Sequence, residues 1–277
     1  YKNAMANLPL GGGKAVIIGD SKTIKTEALL KAYGRAVDSL GGIYLTAEDV
    51  GITVDDMAIL KSVTDYAHGL AGEAGNPAPC TAFGTYVGIK AAVKHKLGKD
   101  SLDGIKVAVQ GLGAVGMSLC QSLHDDGAIL IVSDINREAL IEAKRRWKGT
   151  KEVKPNEIHC ANVDVYAPCA MGAVINPDTV RGIQAPIVAG CANNQLLTEH
   201  MGKMLLDKGK LYAPDYVINA GGVIDVAHET TDGDYAHVMD EIAKIGDTLT
   251  AIFERSVVEN LPTNIIANTM AEERFLN

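Results

Sequence analysis

Three residues near the start of the chain are of types that move protons or hold anions. Lys14 follows Gly11-Gly12-Gly13 and precedes the apolar run Ala15-Val16-Ile17-Ile18. A lysine between bare backbone and an apolar strand sheds water, and desolvation favours the neutral amine that acid–base chemistry uses. Asp49 closes a β-branched stretch in Thr46-Ala47-Glu48-Asp49-Val50-Gly51. Strand ends in α/β folds are where sites collect. Lys2 is a second cation, suited to a carboxylate ligand. Each has a plain alternative: a surface lysine, a helix N-cap, a frayed terminus.

A second constellation lies mid-chain. Gly111-Leu112-Gly113-Ala114-Val115-Gly116 fits the GxGxxG spacing, and Asp134 follows 18 residues after Gly116. Alone the glycine pattern says little. Here it follows the strand-like Lys106 to Gln110 and opens a helical stretch, which makes it a dinucleotide fingerprint. The first glycine permits a tight turn, the second lets a pyrophosphate approach the backbone, and the third lets helix and strand pack closely. Ala114 and Val115 lie in the same turn, which leads into the helix whose free N–H groups would face the diphosphate. Asp134 is placed to accept the ribose hydroxyls. Its charge repels a 2′-phosphate, so NAD is expected over NADP, although nearby Arg137 leaves NADP open. The alternative is a glycine turn that merely packs, with Asp134 capping a strand end.

These residues need elements to carry them. Ala15 to Ile18, Ile43 to Thr46, Lys106 to Gln110, Ile129 to Asp134, Val163 to Tyr166 and Ile187 to Ala189 read as strands. Helical spacing runs over Lys25 to Leu40, stopped by Gly41-Gly42, and over Val54 to Leu60, Thr81 to Lys96, Met117 to Asp126 and Glu138 to Trp147. A helical tail runs from Asp234 to Asn260 and again from Asn264. Gly69 to Pro79, rich in Gly, Ala and Pro, reads as a linker or active-site loop. Alternating β and α predicts an α/β fold: a Rossmann-type, doubly wound parallel sheet plus a partial α/β substrate domain. The expected division is 1–70 for the partial substrate domain, 71–262 for the NAD-binding domain, and 263–277 for a C-terminal helix returning toward the first.

A chain of 277 residues carrying net charge −8 is poorly suited to nucleic acid, which needs clustered cations. No apolar run approaches the ~18 residues of a membrane span, and no signal-peptide pattern is present. The five cysteines, Cys80, Cys120, Cys160, Cys169 and Cys191, form no CxxC pair. They are expected to be small buried hydrophobes in a reducing cytoplasm, with neither disulfide framework nor metal site.

Six motifs stand in order: Tyr1-Lys2-Asn3-Ala4, Leu10-Gly11-Gly12-Gly13-Lys14, Thr46 to Gly51, Gly75-Asn76-Pro77, Ala189-Gly190-Cys191-Ala192-Asn193-Asn194-Gln195, and Asn219-Ala220-Gly221-Gly222-Val223. Together they resemble the glutamate/leucine/phenylalanine/valine dehydrogenase family through nearly the whole chain. The resemblance implies reversible, NAD-dependent oxidative deamination of an L-amino acid to a 2-oxo acid and ammonia, by a homo-oligomer. It implies that Lys2 binds the substrate carboxylate, Lys14 polarises the carbonyl or bound water, and Asp49 shuttles protons. It implies that Thr81, Asn193 and Asn219 serve the cofactor, and that Asn194 lines the substrate side. Ala47, Val223 and Val226 match pocket walls. All three are apolar, so a branched aliphatic side chain such as that of leucine or valine fits, and a γ-carboxylate would be buried without a partner.

Family members carry a segment ahead of the Tyr1-Lys2 motif. The chain is therefore expected to be a fragment lacking the start of its substrate domain, with Lys2 poorly held and deamination much reduced. Two other readings fit the nucleotide fingerprint: another NAD-dependent oxidoreductase, such as a 2-hydroxy-acid dehydrogenase, and a non-catalytic NAD-binding protein.

Overall fold

Val107, Ala108 and Val109 stand in a row and all are fully buried. Such a run suits a strand covered on both faces. The computed structural model describes residues 1–49, 51–68, 77–228 and 235–276. It places two short strands, β1 (Thr46–Ala47) and β2 (Ala67–His68), in a small parallel pair. Six more form one parallel sheet: β3 (Lys106–Gln110), β4 (Ile129–Ser133), β5 (Lys151–Glu152), β6 (Val165–Pro168), β7 (Ile187–Val188) and β8 (Leu211–Tyr212). Their order is β5-β4-β3-β6-β7-β8. The order reverses between β3 and β6, and the crevice beyond the strand ends at such a switch point is where α/β sheets bind ligands.

Alternation along the strands divides the core. Val107, Val109, Leu130, Val132, Val165 and Ile187 join one apolar cluster, with the helices Ala78–Leu97, Ala114–Asp125 and Ile245–Glu259. Ala108, Ile131, Tyr166 and Val188 face the other side, against Ile158, Val180, Met201 and Leu205. The sheet is thus doubly wound. The β1–β2 pair has its own small core, Leu30, Met57, Leu60 and Ala67, supplied partly by the helices Glu27–Asp38 and Val54–Lys61. Thr53 and Asp56 close a reciprocal capping box on the second of these helices. Gly41 and Gly42, at φ 58° and 87°, follow the first as expected.

Several expectations need correction. Ala15 to Ile18 forms no strand, and Val16 and Ile18 are 78% and 95% exposed. β-Branched residues fit a pleated surface but do not make a ladder without a neighbour. The stretch Ile43 to Thr46 contributes only Thr46 to a strand. The strand expected at Val163 begins at Val165, because Asp164 spends its carboxylate on the Lys106 N–H (2.8 Å) and pairing starts one residue on. The strands β2, β5 and β8, and the helices His200–Asp207 and Gly221–His228, were not predicted. Two-residue strands carry too little pattern to be read. Cys160 is exposed and so is not the buried residue expected, while Cys169 is half-buried and packs against the first apolar cluster. Residues 69–76 of the expected loop, with Gly75-Asn76, and also Val50 and Asp234, lie outside the described residues.

The start of the chain is held rather than frayed. The short helix Lys2–Met5 packs on the C-terminal helix Thr263–Phe275. Arg274 Nη1 donates to the Ala4 and Met5 carbonyls (2.7 and 3.0 Å), and the Tyr1 hydroxyl donates to Glu272 (2.6 Å). The Tyr1 ring meets Phe275 edge-on, with centroids 5.6 Å apart. Arg274→Ala should therefore speed hydrogen exchange at the Met5 and Ala6 amides by about tenfold or more, while protection in β3 and β4 stays unchanged. Exchange measured by mass spectrometry checks this.

Candidate active site

The glycine turn leaves β3 at the switch point. Gly111 takes φ 103°, a backbone that L side chains rarely adopt, and its N–H donates to Ser133 O (2.7 Å). A Cβ on Gly116 would lie 2.0 Å from Gly111 O, so only glycine lets the helix Ala114–Asp125 start here. Around Gly113 nothing lies within 4 Å of a would-be Cβ. The three glycines thus divide into turn, open approach and close packing, as the spacing predicted. Gly113 caps the helix without a side-chain bond, leaving its first N–H groups, from Ala114 and Val115 onward, to an outside acceptor. This cradle fits a dinucleotide pyrophosphate.

Asp134 follows β4 and is half-buried. Its two oxygens accept from the Leu112 N–H (2.5 Å) and the Asn136 N–H (2.6 Å). It therefore holds the glycine turn to the end of β4, a task the sequence did not disclose. A carboxylate has about four lone-pair positions, so acceptor capacity remains for ribose hydroxyls. Arg137 is occupied elsewhere, with Nη1 donating to both oxygens of Glu152 (2.9 and 3.1 Å).

Across the switch point, the segment after β7 is fixed from within. Gln195 is fully buried, and its Nε2 donates to Gly190 O (2.7 Å) and Ala192 O (3.0 Å). That bracing presents Asn193 and Asn194 outward, with Asn194 at φ 52°. Asn219 Nδ2 donates to Asn193 Oδ1 (2.7 Å) and to Cys191 O (3.0 Å). Gly221 and Gly222 follow. A Cβ on Gly222 would stand 2.7 Å from Thr81 Oγ1, and one on Gly221 would stand 2.1 Å from Cys80 O. Thr81, Asn193 and Asn219 therefore form one continuous rim, and Val223 and Val226 stand on the helix that begins there. Under this rim the Cys80 thiol is pushed up to about 11, first by burial and then by the Asp225 carboxylate.

The proton-handling residues also converge. Lys14 and Asp49 form an ion pair. The Lys14 side chain is 69% exposed, so the expected desolvation is not its condition here, and the paired carboxylate defines its surroundings instead. Lys2 is half-buried. Burial lowers its pKa, the Asp215 carboxylate opposes that shift, and the nearby charge of Lys14 adds to it. Asp215 in turn accepts from the Gln195 N–H (2.8 Å), one residue from Asn194. Asp49, Lys14, Lys2, Asp215 and Gln195 thus lie in sequence as electrostatic or hydrogen-bonded neighbours. Ala47 sits on β1, whereas Val223 and Val226 stand on the helix Gly221–His228. Asp215 and Gln195 were missed as positioning residues. Gln195 had a signal in its place after Asn193-Asn194, whereas Asp215 had none.

Known proteins place this geometry. Residues 76–260 match the family described as Glutamate/Leucine/Phenylalanine/Valine dehydrogenase, and residues 1–66 match its dimerisation domain. The chain is 48% identical to a leucine dehydrogenase of Geobacillus stearothermophilus, over 99% of this chain and 76% of that protein. It is 43% identical to a valine dehydrogenase of Streptomyces virginiae, over 99% and 78%. The crystal structure of L-tryptophan dehydrogenase from Nostoc punctiforme superposes with TM-score 0.86 at 47% identity, covering 99% of this chain and 79% of that one.

Gly116→Ala should destabilise the fold by about 1–3 kcal/mol, since the added methyl meets a backbone carbonyl that cannot turn aside. It should also weaken dinucleotide binding. Denaturant unfolding and a nucleotide titration on the same sample check both effects.

Proposed function

The chain belongs to the Glu/Leu/Phe/Val dehydrogenase family, and from that premise we propose that it reversibly deaminates a branched aliphatic L-amino acid with NAD. It is an amino-acid dehydrogenase acting on CH–NH2, and the family works with a nicotinamide cofactor. The convergence of Lys2, Lys14 and Asp49 beside the crevice supports the reading most. A 2-hydroxy-acid dehydrogenase or a non-catalytic binder would have no use for that trio.

A bound nicotinamide supplies a hydride acceptor. The protein's own residues do the rest. Lys2 pairs with the substrate carboxylate. Lys14 holds the oxygen of the attacking water or of the product carbonyl, and Asp49, in contact with Lys14, passes protons between nitrogen, oxygen and solvent. Thr81, Asn193 and Asn219 orient the cofactor amide and ribose, with Asn194 toward substrate. Gly111, Gly113, Gly116 and the N–H groups of Ala114 and Val115 hold the diphosphate. Asp134 takes the adenosine ribose, and the commitment of Arg137 to Glu152 supports NAD over NADP.

Val223, Val226 and Ala47 set the side-chain preference, with Ala47 brought to the other two when the substrate domain approaches the cofactor half. On this reading the substrate domain spans 1–70, the cofactor domain 71–262 and the returning helix 263–277. Assembly is homo-oligomeric, and the site is cytoplasmic. Among the described residues no helix is long and apolar enough to cross a membrane. The likeness to a tryptophan dehydrogenase favours a second reading, in which the same apolar walls admit an indole ring.

An assay of leucine, valine, tryptophan and glutamate, each with NAD and with NADP, decides among these. Leucine or valine with NAD should be fastest and glutamate slowest. Tryptophan as best substrate would move the protein to the second reading. No turnover with any amino acid, but turnover with a 2-hydroxy acid, would reject both. Lys14→Ala should lower kcat by about 10²–10⁴-fold while the dinucleotide still binds. Ala47→Leu should shift preference toward shorter side chains. Because the Lys2 pKa is lowered, its positive charge fades as pH rises, earlier than for an ordinary lysine. The KM for the amino acid should therefore climb at alkaline pH, and a KM–pH profile shows it.

A further inference from the structure

Two of the five cysteines sit at the switch point and have no part in the chemistry above. β6 and β7 run parallel, with Tyr166 opposite Val188. Past that pair, the Ala189 N–H donates to Tyr166 O and the Ala192 N–H to Pro168 O, both at 2.9 Å. Cys191 lies within this bracket and, carried on in the same register, falls opposite Cys169, the residue after Pro168; the two thiols perturb each other's ionisation. Neighbouring strands run about 4.8 Å apart, within the Cα separation a disulfide spans. Cys169 is half-buried, the more exposed of the two, whereas Cys191 is 8% exposed. The neighbouring Cys191 holds the Cys169 pKa below the ordinary thiol value, which favours the thiolate, the nucleophilic form.

Both cysteines touch what holds the dinucleotide. A Cβ on Gly111 would stand 2.9 Å from the Cys169 carbonyl carbon and 2.7 Å from Ala170 Cβ, so the glycine turn has no slack on that side. The Cys191 carbonyl accepts from Asn219, which also holds Asn193. Drawing the two sulfurs together to about 2.05 Å must displace one of these backbones.

We propose that Cys169 and Cys191 form a reversible disulfide by exchange with a low-molecular-weight disulfide, and that the linkage weakens dinucleotide binding. The second half rests on the cofactor reading of the crevice. The Cys169 thiolate attacks one sulfur of the small disulfide and expels one small thiolate. The Cys191 sulfur, losing its proton, then attacks the mixed disulfide at Cys169 and expels the second. Two protein thiols become one disulfide, one small disulfide becomes two small thiols, and the two protons go to the expelled thiolates.

The test incubates the whole chain with oxidised glutathione, maps linkages by mass spectrometry, and titrates NADH by fluorescence before and after. Expected are a Cys169–Cys191 cross-linked peptide, NADH affinity about tenfold weaker or worse, and recovery on reduction by dithiothreitol. In Cys191→Ala and Cys191→Ser the ratio of affinities with and without oxidant should return to one. No cross-link, a cross-link through Cys120 instead, or the expected cross-link with unaltered NADH affinity would each overturn the proposal. If the reduced chain bound no NADH at all, the cofactor reading would fall together with the second half of the proposal. The peptide map would still decide the disulfide by itself.

Discussion

Gly116 and Gly111 meet with no room between them. The absent side chain of Gly116 would fall 2.0 Å from the Gly111 carbonyl, and that of Gly111 would strike Ala170. This close approach lets the helix Ala114–Asp125 begin directly over the carboxyl end of β3, with its unpaired N–H groups aimed into the crevice. Asp134 secures the same turn from β4 through the Leu112 N–H. The cradle is thus fixed by backbone contacts from three neighbouring strands, β4, β3 and β6. A flexible loop could not offer a diphosphate the same preorganised donors.

The groups proposed for catalysis depend on that frame at one remove. Asp215 takes the Gln195 N–H and opposes the burial of the Lys2 charge, while Gln195 braces the turn that presents Asn193 and Asn194. Lys2 is carried by a helix gripped by Arg274, from the far end of the chain. Lys2 and the cofactor rim are therefore neighbours of one residue, Asp215, which bonds the rim and faces the Lys2 charge. The exposed Lys14–Asp49 pair is the loosest of these groups. Solvent screens such a pair, so it adds little to the stability of the fold.

Much of this was legible in the sequence because it is local. The strands β3 and β4 and the flanking helices have residues whose spacing alone fixes which face is buried. The glycine spacing is a backbone requirement, so the roles of Gly111, Gly113 and Gly116 could be assigned before any coordinates. The motifs around Lys2, Lys14, Asp49 and Asn193 carried the family resemblance. Ala15 to Ile18 shows the limit, since β-propensity there names a preference that no neighbouring strand satisfies.

What the tertiary structure decided is whatever depends on two distant segments meeting. Asp134 grips the glycine turn, Arg137 is taken up by Glu152, Arg274 clamps the residues beside Lys2, and Cys169 lies against Cys191. Each brings together residues 15 to 270 positions apart. Local pattern cannot encode such a meeting, because a side chain's partner is set by how strands are ordered in the sheet and not by its own neighbours in the chain. The sequence by itself determined the elements, their buried faces and the dinucleotide turn. Only the packed sheet determined which charges pair, which lysine is desolvated and which thiols touch.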